Sequence, residues 1–373
     1  MGVLSACSAL TAMHIGLLIY GSLATVSGGY LYDRKLVHVL QAAGHTTELV
    51  TLPWRNYACH LLDNWSPRLF DQLCTARFDL LLQDELNHPS LAWLNGRLRP
   101  RVRYPLISIV HHLRSSEEHS RHLMPFYRWV ERRYLQSVDG MVYNSKTTRT
   151  TVTQLIGQDK PAWVAYPAAD HRAPPPMAKI VQHIDERVAA GRPLQILFVG
   201  NVIARKGLHD LLTALAGMVQ EAWQLQVVGS LTTDPKYVEQ LQRLVQTAHL
   251  ADRVTWHGAC SDDAVRNHYD ACDLFAAPAY EGFGIAYLEA MSFGLPVIAS
   301  TAGAAHEIVT SGVDGYLVPP GDLTSLRAHL TNLCQNRALL AQLGKAARQR
   351  YERQPSWQES FVPAVSWLAK QAK

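Results

Sequence analysis

The sequence predicts two doubly wound α/β domains, on three observations. Short apolar runs alternate with segments of helical period along most of the chain, and a proline-rich polar stretch interrupts that alternation near the middle. The 373 residues, 48% of them hydrophobic, suffice for two separate cores. Strands that alternate with helices imply parallel βαβ units, which carry their ligand sites at the carboxyl ends of the strands.

His14-Ile15-Gly16-Leu17-Leu18-Ile19-Tyr20 reads as a first strand buried on both faces. Leu31, Leu36, Val39 and Leu40 then mark a helix that ends at Gly44. Further strands are expected at Glu48 to Leu52, Asp79 to Leu82, Leu106 to Val110 and Gly140 to Tyr143, giving a first domain over residues 13–170. Residues 1–12 read as a flexible extension. Leu4-Ser5-Ala6-Cys7 has the look of a lipoprotein box, but no charged or apolar export segment precedes it, and Ala6 stands where myristoylation wants Ser or Thr.

Pro174, Pro175, Pro176 and Pro193 punctuate a linker over 171–193 that carries one helix, Ile180 to Val188. The alternation restarts with a strand at Leu194 to Gly200, a helix with Leu208, Leu211, Leu212 and Leu215 on one face, and a strand at Gln224 to Val228. A second domain thus spans 194–355, with a helix at Arg337 to Tyr351, and a C-terminal helix occupies 356–373.

Composition excludes several classes. No apolar run reaches the roughly 20 residues of a membrane span. A net charge of +4 is too small for a nucleic-acid footprint, though it suits an anionic small ligand. The six cysteines are scattered without a C-x-x-C pair, which suits a reducing cytoplasm. Among 17 histidines there is no H-E-x-x-H, and His111-His112 are adjacent, so no metal site is expected.

Three Gly-rich turns fall at predicted strand ends. The first contains Gly28 and Gly29. The second, from Gly200 and Asn201 to Gly207, sets Arg205 and Lys206 before a helix whose first amides lack internal partners, an arrangement that attracts phosphate. It is not a Walker loop, and a solvated Arg-Lys pair is the plain alternative. In the third, Gly282 and Gly284 flank Phe283 before a helix from Ile285 to Phe293, closed by Gly294 and Pro296. Glu281 precedes that terminus. Glu289 lies on an otherwise mostly apolar helix and needs a partner, either sugar or ribose hydroxyls or a structural cation.

Glu281 to Met291, followed by Gly294-Leu295-Pro296-Val297-Ile298-Ala299, resembles the Glu-x7-Glu motif of the retaining glycosyltransferases of family 4. Gly28-Gly29, Gly44-His45, Val142-Tyr143-Asn144-Ser145, Phe198 to Gly207 and Gly312 to Val318 extend the resemblance over nearly the whole chain. It implies GT-B architecture, in which two Rossmann-like domains face a central cleft, the first binding the acceptor and the second the donor, and the C-terminal helix returns from the second to brace the first. It also implies transfer of a hexose from a nucleoside diphosphate sugar, UDP- or GDP-sugar favoured, to a hydroxyl of a glycan, lipid or small molecule, with no metal or other cofactor. By position, Lys206 matches the lysine that binds the donor diphosphate, Glu281 the glutamate facing the donor sugar and Glu289 the one that holds the ribose. The amides of Phe283 to Ile285 match the phosphate cap, Gly28 and Gly29 the first-domain donor loop, and His111 a histidine near the reacting sugar, with His112 second. Asn201 departs from the pattern, which usually has Arg there; Arg205 is the residue that could supply the missing charge. The rival readings are a GT-B sugar-nucleotide epimerase or hydrolase and a catalytically silent glycan-binding subunit.

Trp54 and Arg55, and Asp84, Glu85 and His88, follow predicted first-domain strands and are the acceptor candidates; a packed Trp and a capping Asp are the plain alternative. Residues 121–134 read as a helix with Leu123, Phe126, Tyr127, Val130 and Tyr134 on one face and Arg121, Arg128 and Arg132 on the other. A solvated face is the first reading of those arginines and a weak contact with an anionic membrane surface the second, which would place the protein at the inner face of the membrane.

Overall fold

The computed structural model describes residues 11–117, 122–219 and 222–372. The chain divides into two compact units, one running to Pro167 and resuming at Trp357, the other Ala168–Ser356. Each holds one six-stranded parallel sheet.

The first sheet contains β1 (His14–Tyr20), β2 (Thr46–Leu52), β3 (Leu80–Asp84), β4 (Leu106–Val110), β5 (Gly140–Tyr143) and β6 (Ala162–Val164), in the order β2-β1-β3-β4-β5-β6. The second contains β7 (Leu194–Val199), β8 (Trp223–Val228), β9 (Val254–Gly258), β10 (Leu274–Ala277), β11 (Val297–Ser300) and β12 (Gly315–Val318), in the order β12-β11-β10-β7-β8-β9. Strand order reverses direction between β1 and β3 in one sheet and between β7 and β10 in the other. These are the switch points at which open α/β sheets take ligands.

The strands read as near-continuous apolar runs because helices cover both faces of a parallel sheet. Every residue of β3 and β4 is buried. β3 starts later and runs further than the Asp79 to Leu82 expected from sequence. Gln83 and Asp84 pair with Ser108 and Ile109 of β4, and buried Gln83 exchanges two 3.0 Å hydrogen bonds with Asn95. Polar side chains extend a buried strand when such reciprocal bonds satisfy them.

One further difference concerns the segment between the domains. Residues 171–193, read as a linker, belong to the second unit, where the helix Met177–Ala189 buries Ile180 and Ile184. The C-terminal helix Trp357–Gln371 belongs to the first unit, where Trp357 and Phe361 meet Tyr32 edge-on at 5.9 and 4.8 Å. The expected extension lies almost wholly among residues outside the described ones, as does Arg121.

Candidate active site

In the second unit the two phosphate-type turns meet at the switch point. The turn after β7 runs through Gly200 and Asn201 to a short 3-10 segment, Ala204–Lys206, and the helix Leu208–Ala216 follows. The turn after β10 leads through Glu281 to the helix Ile285–Ser292. Adjacent pairing of β7 and β10 brings these turns side by side, so Lys206 Nζ donates to Glu281 Oε1. Arg205 donates from its guanidinium to the Tyr280 carbonyl at 3.3 Å.

The helix after Glu281 takes its N-cap from Gly284, with no side-chain cap. Glu281 is therefore not the cap of this helix; its carboxylate is turned to Lys206. Gly284 has φ +105°, and a Cβ there would clash with the Tyr287 ring. The amides of Ile285 and its neighbours thus open a helix beside a cation and a carboxylate, a setting for an anion that also carries hydroxyls.

Glu289, 6% exposed, sits one turn inside that helix at the centre of a closed polar group. Oε1 accepts from Arg172 Nε at 2.9 Å and lies 2.8 Å from His171 Nε2, and Oε2 accepts from the Tyr269 hydroxyl at 2.8 Å. Burial alone would raise its carboxyl, but the His171 hydrogen bond and the charge of Arg172 hold it below the ordinary range. Arg172 also reaches the Asp262 side chain at 2.8 Å. The demand for a partner was legible in the sequence. The partners were not, because His171 and Arg172 lie more than a hundred residues earlier, in a stretch that reads as linker.

In the first unit, Gly28 and Gly29 open the helix Gly28–Ala42, whose N-cap Ser27 accepts from the Tyr30 amide at 3.3 Å. A Cβ on Gly29 would stand 3.3 Å from His111 Cδ2, so glycine lets the helix start approach that ring. His111 follows β4. Its Nε2 lies 3.2 Å from Oδ1 of fully buried Asp33, its carbonyl accepts from Asn144 Nδ2 at 2.7 Å, and Tyr32 meets its ring edge-on at 5.0 Å. Burial alone would lower the imidazole, but the Asp33 carboxylate and then Asp84 outweigh it and push it up to about 9. At neutral pH His111 is an imidazolium. Neighbouring His112 pairs with Glu117 at 2.8 Å.

Four of the five acceptor candidates line one pocket of about 140 Å³: Trp54, Arg55, Glu85 and His88, joined by Tyr57 and His112. Trp54, 53% exposed, tilts against Tyr20 with ring centroids 5.3 Å apart. Arg55 is tied to Asp63, which also accepts from Ser90 Oγ at 2.8 Å. Asp84 is not among the lining residues. It ends β3, is buried near His111 and caps the Leu86 amide at 2.9 Å, the plain alternative for an acid at this place.

Behind the pocket, burial pushes the Glu85 and Glu131 carboxyls up to about 7 and His88 down to about 4. His88 sets Nδ1 3.1 Å from the Glu85 carbonyl and Nε2 3.1 Å from the Tyr57 hydroxyl, which suits a neutral ring. Two groups of donor atoms, Asp33/Asp84/His111 and Glu85/His88/Glu131, each lie within a 4.8 Å spread that a divalent ion could span. Asp33 and Glu131 were missed from sequence because each sits inside an amphipathic helix where acids ordinarily face water.

Residues 182–350, which contain Lys206, Glu281 and Glu289, match the family model of glycosyl transferases, group 1. The chain is 27% identical over 283 residues to a GDP-mannose-dependent α-(1-6)-phosphatidylinositol monomannoside mannosyltransferase of Mycobacterium tuberculosis, covering 73% of this chain and 72% of that one. It is 26% identical over 299 residues to a D-inositol 3-phosphate glycosyltransferase of Nocardia farcinica, covering 74% and 66%. These matches support a glycosyltransferase. Sucrose-phosphate synthase from Thermosynechococcus elongatus superposes with a TM-score of 0.78 at 22% identity, over 95% of this chain and 98% of that one. Anabaena HepE in complex with UDP and glucose does so with 0.72 at 20%, over 96% and 100%. At such identities the likeness carries the fold, and the fold of this glycosyltransferase is GT-B with two Rossmann-like domains.

Proposed function

We propose that this glycosyltransferase is a metal-independent hexosyltransferase that retains the anomeric configuration, with a UDP- or GDP-sugar as donor and a glycan or lipid hydroxyl as acceptor. The observation that carries the reading is the Lys206–Glu281 pair at the β7/β10 switch point, flanked by the starts of the helices Leu208–Ala216 and Ile285–Ser292. A nucleoside diphosphate sugar presents both chemistries such a pair can take: a dianion for the lysine and sugar hydroxyls for the carboxylate. The Mycobacterium relative is named for GDP-mannose and HepE was solved with UDP and glucose, which supports a nucleotide-sugar donor without choosing the base.

In the proposed reaction the bond from the anomeric carbon to the diphosphate oxygen breaks and the acceptor oxygen bonds to that carbon. The acceptor proton passes to the departing diphosphate. Lys206, Arg205 and the helix amides stabilise the growing negative charge, and Glu281 stabilises the positive charge on the ring. Glu289 would hold the ribose, the first-unit pocket of Trp54, Arg55, Glu85 and His88 would receive the acceptor, and His111 is the first unit's candidate cation. We place the enzyme in the cytoplasm, and among the described residues no helix is long and apolar enough to cross a membrane.

The test is a thermal-shift screen of UDP-, GDP- and ADP-sugars followed by transfer assays with the stabilising donor. A ligand at 100 times its Kd raises stability by about 2.7 kcal/mol. Stabilisation by one nucleotide sugar and acceptor-dependent release of its nucleotide are expected. Release of free sugar at the same rate without acceptor would overturn the transferase reading in favour of hydrolysis.

A further inference from the structure

At the end of β5 the run Tyr143-Asn144-Ser145 does more than close a strand. β4 and β5 pair in register as far as Val110 and Tyr143, and the Asn144 amide still donates to the Val110 carbonyl at 3.4 Å. There the chain turns into the helix Lys146–Ile156, whose N-cap Ser145 accepts from the Thr148 amide at 3.0 Å. The turn takes the backbone away from β4, so the His111 carbonyl, one residue past that strand, loses the next donor of the ladder. Asn144 supplies one from its side chain, where Nδ2 donates to that carbonyl at 2.7 Å. The side-chain amide continues the pairing that the backbone has left.

That amide is itself oriented. Its Oδ1 accepts from the Thr148 hydroxyl at 2.9 Å, and this hydroxyl accepts from the Ser145 hydroxyl at 2.8 Å. Donation runs one way along the row, from Ser145 through Thr148 to Asn144 and on to the His111 carbonyl. The amide therefore cannot turn over without setting oxygen against oxygen. Asn144 is 5% exposed, Ser145 0% and Thr148 5%, which keeps water from replacing a link.

The other end of His111 is held from a different element. Nε2 lies against Asp33 of the helix Gly28–Ala42, Tyr32 meets the ring edge-on, and a Cβ on Gly29 would stand 3.3 Å from Cδ2. The charged groups that face the imidazole are Asp33 on that helix and Asp84 and Glu85 after β3. The residue thus spans two fixed points, its main chain at Asn144 and its ring nitrogen at Asp33. A shift at the first unseats the second.

We propose that Asn144, locked by Thr148 and Ser145, is a positioning residue that fixes the His111 main chain and so keeps the imidazole seated on Asp33. The seating stands on these contacts alone; that it serves sugar transfer rests on the transferase reading. The rival is an amide that only satisfies a carbonyl.

The test compares wild type with Asn144→Ala, Thr148→Val and Thr148→Ser in the full chain. NMR titration follows the His111 ring, assigned by its loss in His111→Gln, beside thermal melts and steady-state kinetics with the stabilising nucleotide sugar. The His111 midpoint is expected to fall by about one pH unit or more in Asn144→Ala as the ring leaves Asp33, and part of the way in Thr148→Val. Thr148→Ser, which keeps the hydroxyl, should stay near wild type. In Asn144→Ala kcat should fall about tenfold or more with KM within about twofold, and in Thr148→Val about threefold. A lowered melting temperature with the His111 midpoint and kcat unchanged would overturn the proposal and leave Asn144 to its carbonyl. Identical midpoints for Thr148→Val and Thr148→Ser would overturn it as well, and that pair decides the matter if Asn144→Ala does not fold. A shifted midpoint in a protein whose wild type transfers from no sugar nucleotide would keep the seating and sink the transferase reading.

Discussion

Lys206 and Glu281, 75 residues apart in the chain, are joined as an ion pair because β7 and β10 are neighbours in the second sheet. Each residue neutralises the other, and in the proposed reaction a diphosphate sugar would separate their tasks. Lys206→Ala is expected to lower kcat/KM by about 100-fold, since a charge-assisted contact to the leaving diphosphate tightens in the transition state. Arg205→Ala should cost less but measurably. A silent Arg205→Ala in steady-state kinetics would remove Arg205 as the substitute for the arginine that Asn201 displaces.

Glu289 is expected to act on stability as well as on binding. Its carboxylate answers Arg172, His171 and Tyr269, so Glu289→Gln leaves a largely buried guanidinium short of its counter-charge, at a cost of about 3 kcal/mol. Chemical denaturation should show that loss, and Arg172→Met on top of Glu289→Gln should recover part of it. Donor KM should rise in Glu289→Gln with kcat little changed. An unchanged denaturation midpoint would mean that the buried group is not the constraint it appears from its geometry.

His111 links activity and stability to pH through Asp33. Its folded value, pushed up to about 9, lies above the ordinary imidazole value near 6.5. The folded state therefore binds the proton more tightly. The stabilisation, on the order of 3 kcal/mol, is complete below about 6.5 and is lost as pH rises through about 9. Asp33→Asn should abolish most of that slope in melts recorded across pH. It should also bring the alkaline limb of kcat/KM down toward neutrality, the result expected if the imidazolium is the active form. An alkaline limb that stays in place would detach His111 from the reaction.

Turnover is expected to survive EDTA. In the proposed complex the diphosphate would meet Lys206, Arg205 and two helix N-termini, and the sequence has no aspartate-rich metal motif at these turns. Assays in chelator with and without added Mg²⁺ or Mn²⁺ check this. Loss of activity restored by either ion would contradict it and would direct attention to the Asp33/Asp84/His111 and Glu85/His88/Glu131 groups.

The fold was legible because buried parallel strands write continuous apolar runs, and the turns at their ends were legible because glycine and adjacent cations stand out there. The pocket was legible in part: Trp54, Arg55, Glu85 and His88 follow β2 and β3, whereas Tyr57 and the buried acid Glu131 gave no local signal. Long-range polar partners were hidden. Asp33 meets His111 across 78 positions and Arg172 meets Glu289 across 117, and no periodicity records such a pairing. Asp84 was ambiguous for a related reason, since an acid at a strand end serves a turn amide as readily as a substrate.

Glu281→Gln, assayed with the stabilising nucleotide sugar beside its thermal melt, tests the central claim most directly. The isosteric amide keeps a hydrogen bond to Lys206 and removes only charge. If Glu281 stabilises the positive charge that develops on the donor sugar, kcat falls by about 100-fold or more while the melting temperature and nucleotide affinity stay near wild type. A near-normal kcat, with or without a lowered melting temperature, would show that the carboxylate serves only the Lys206 pair and would contradict the account.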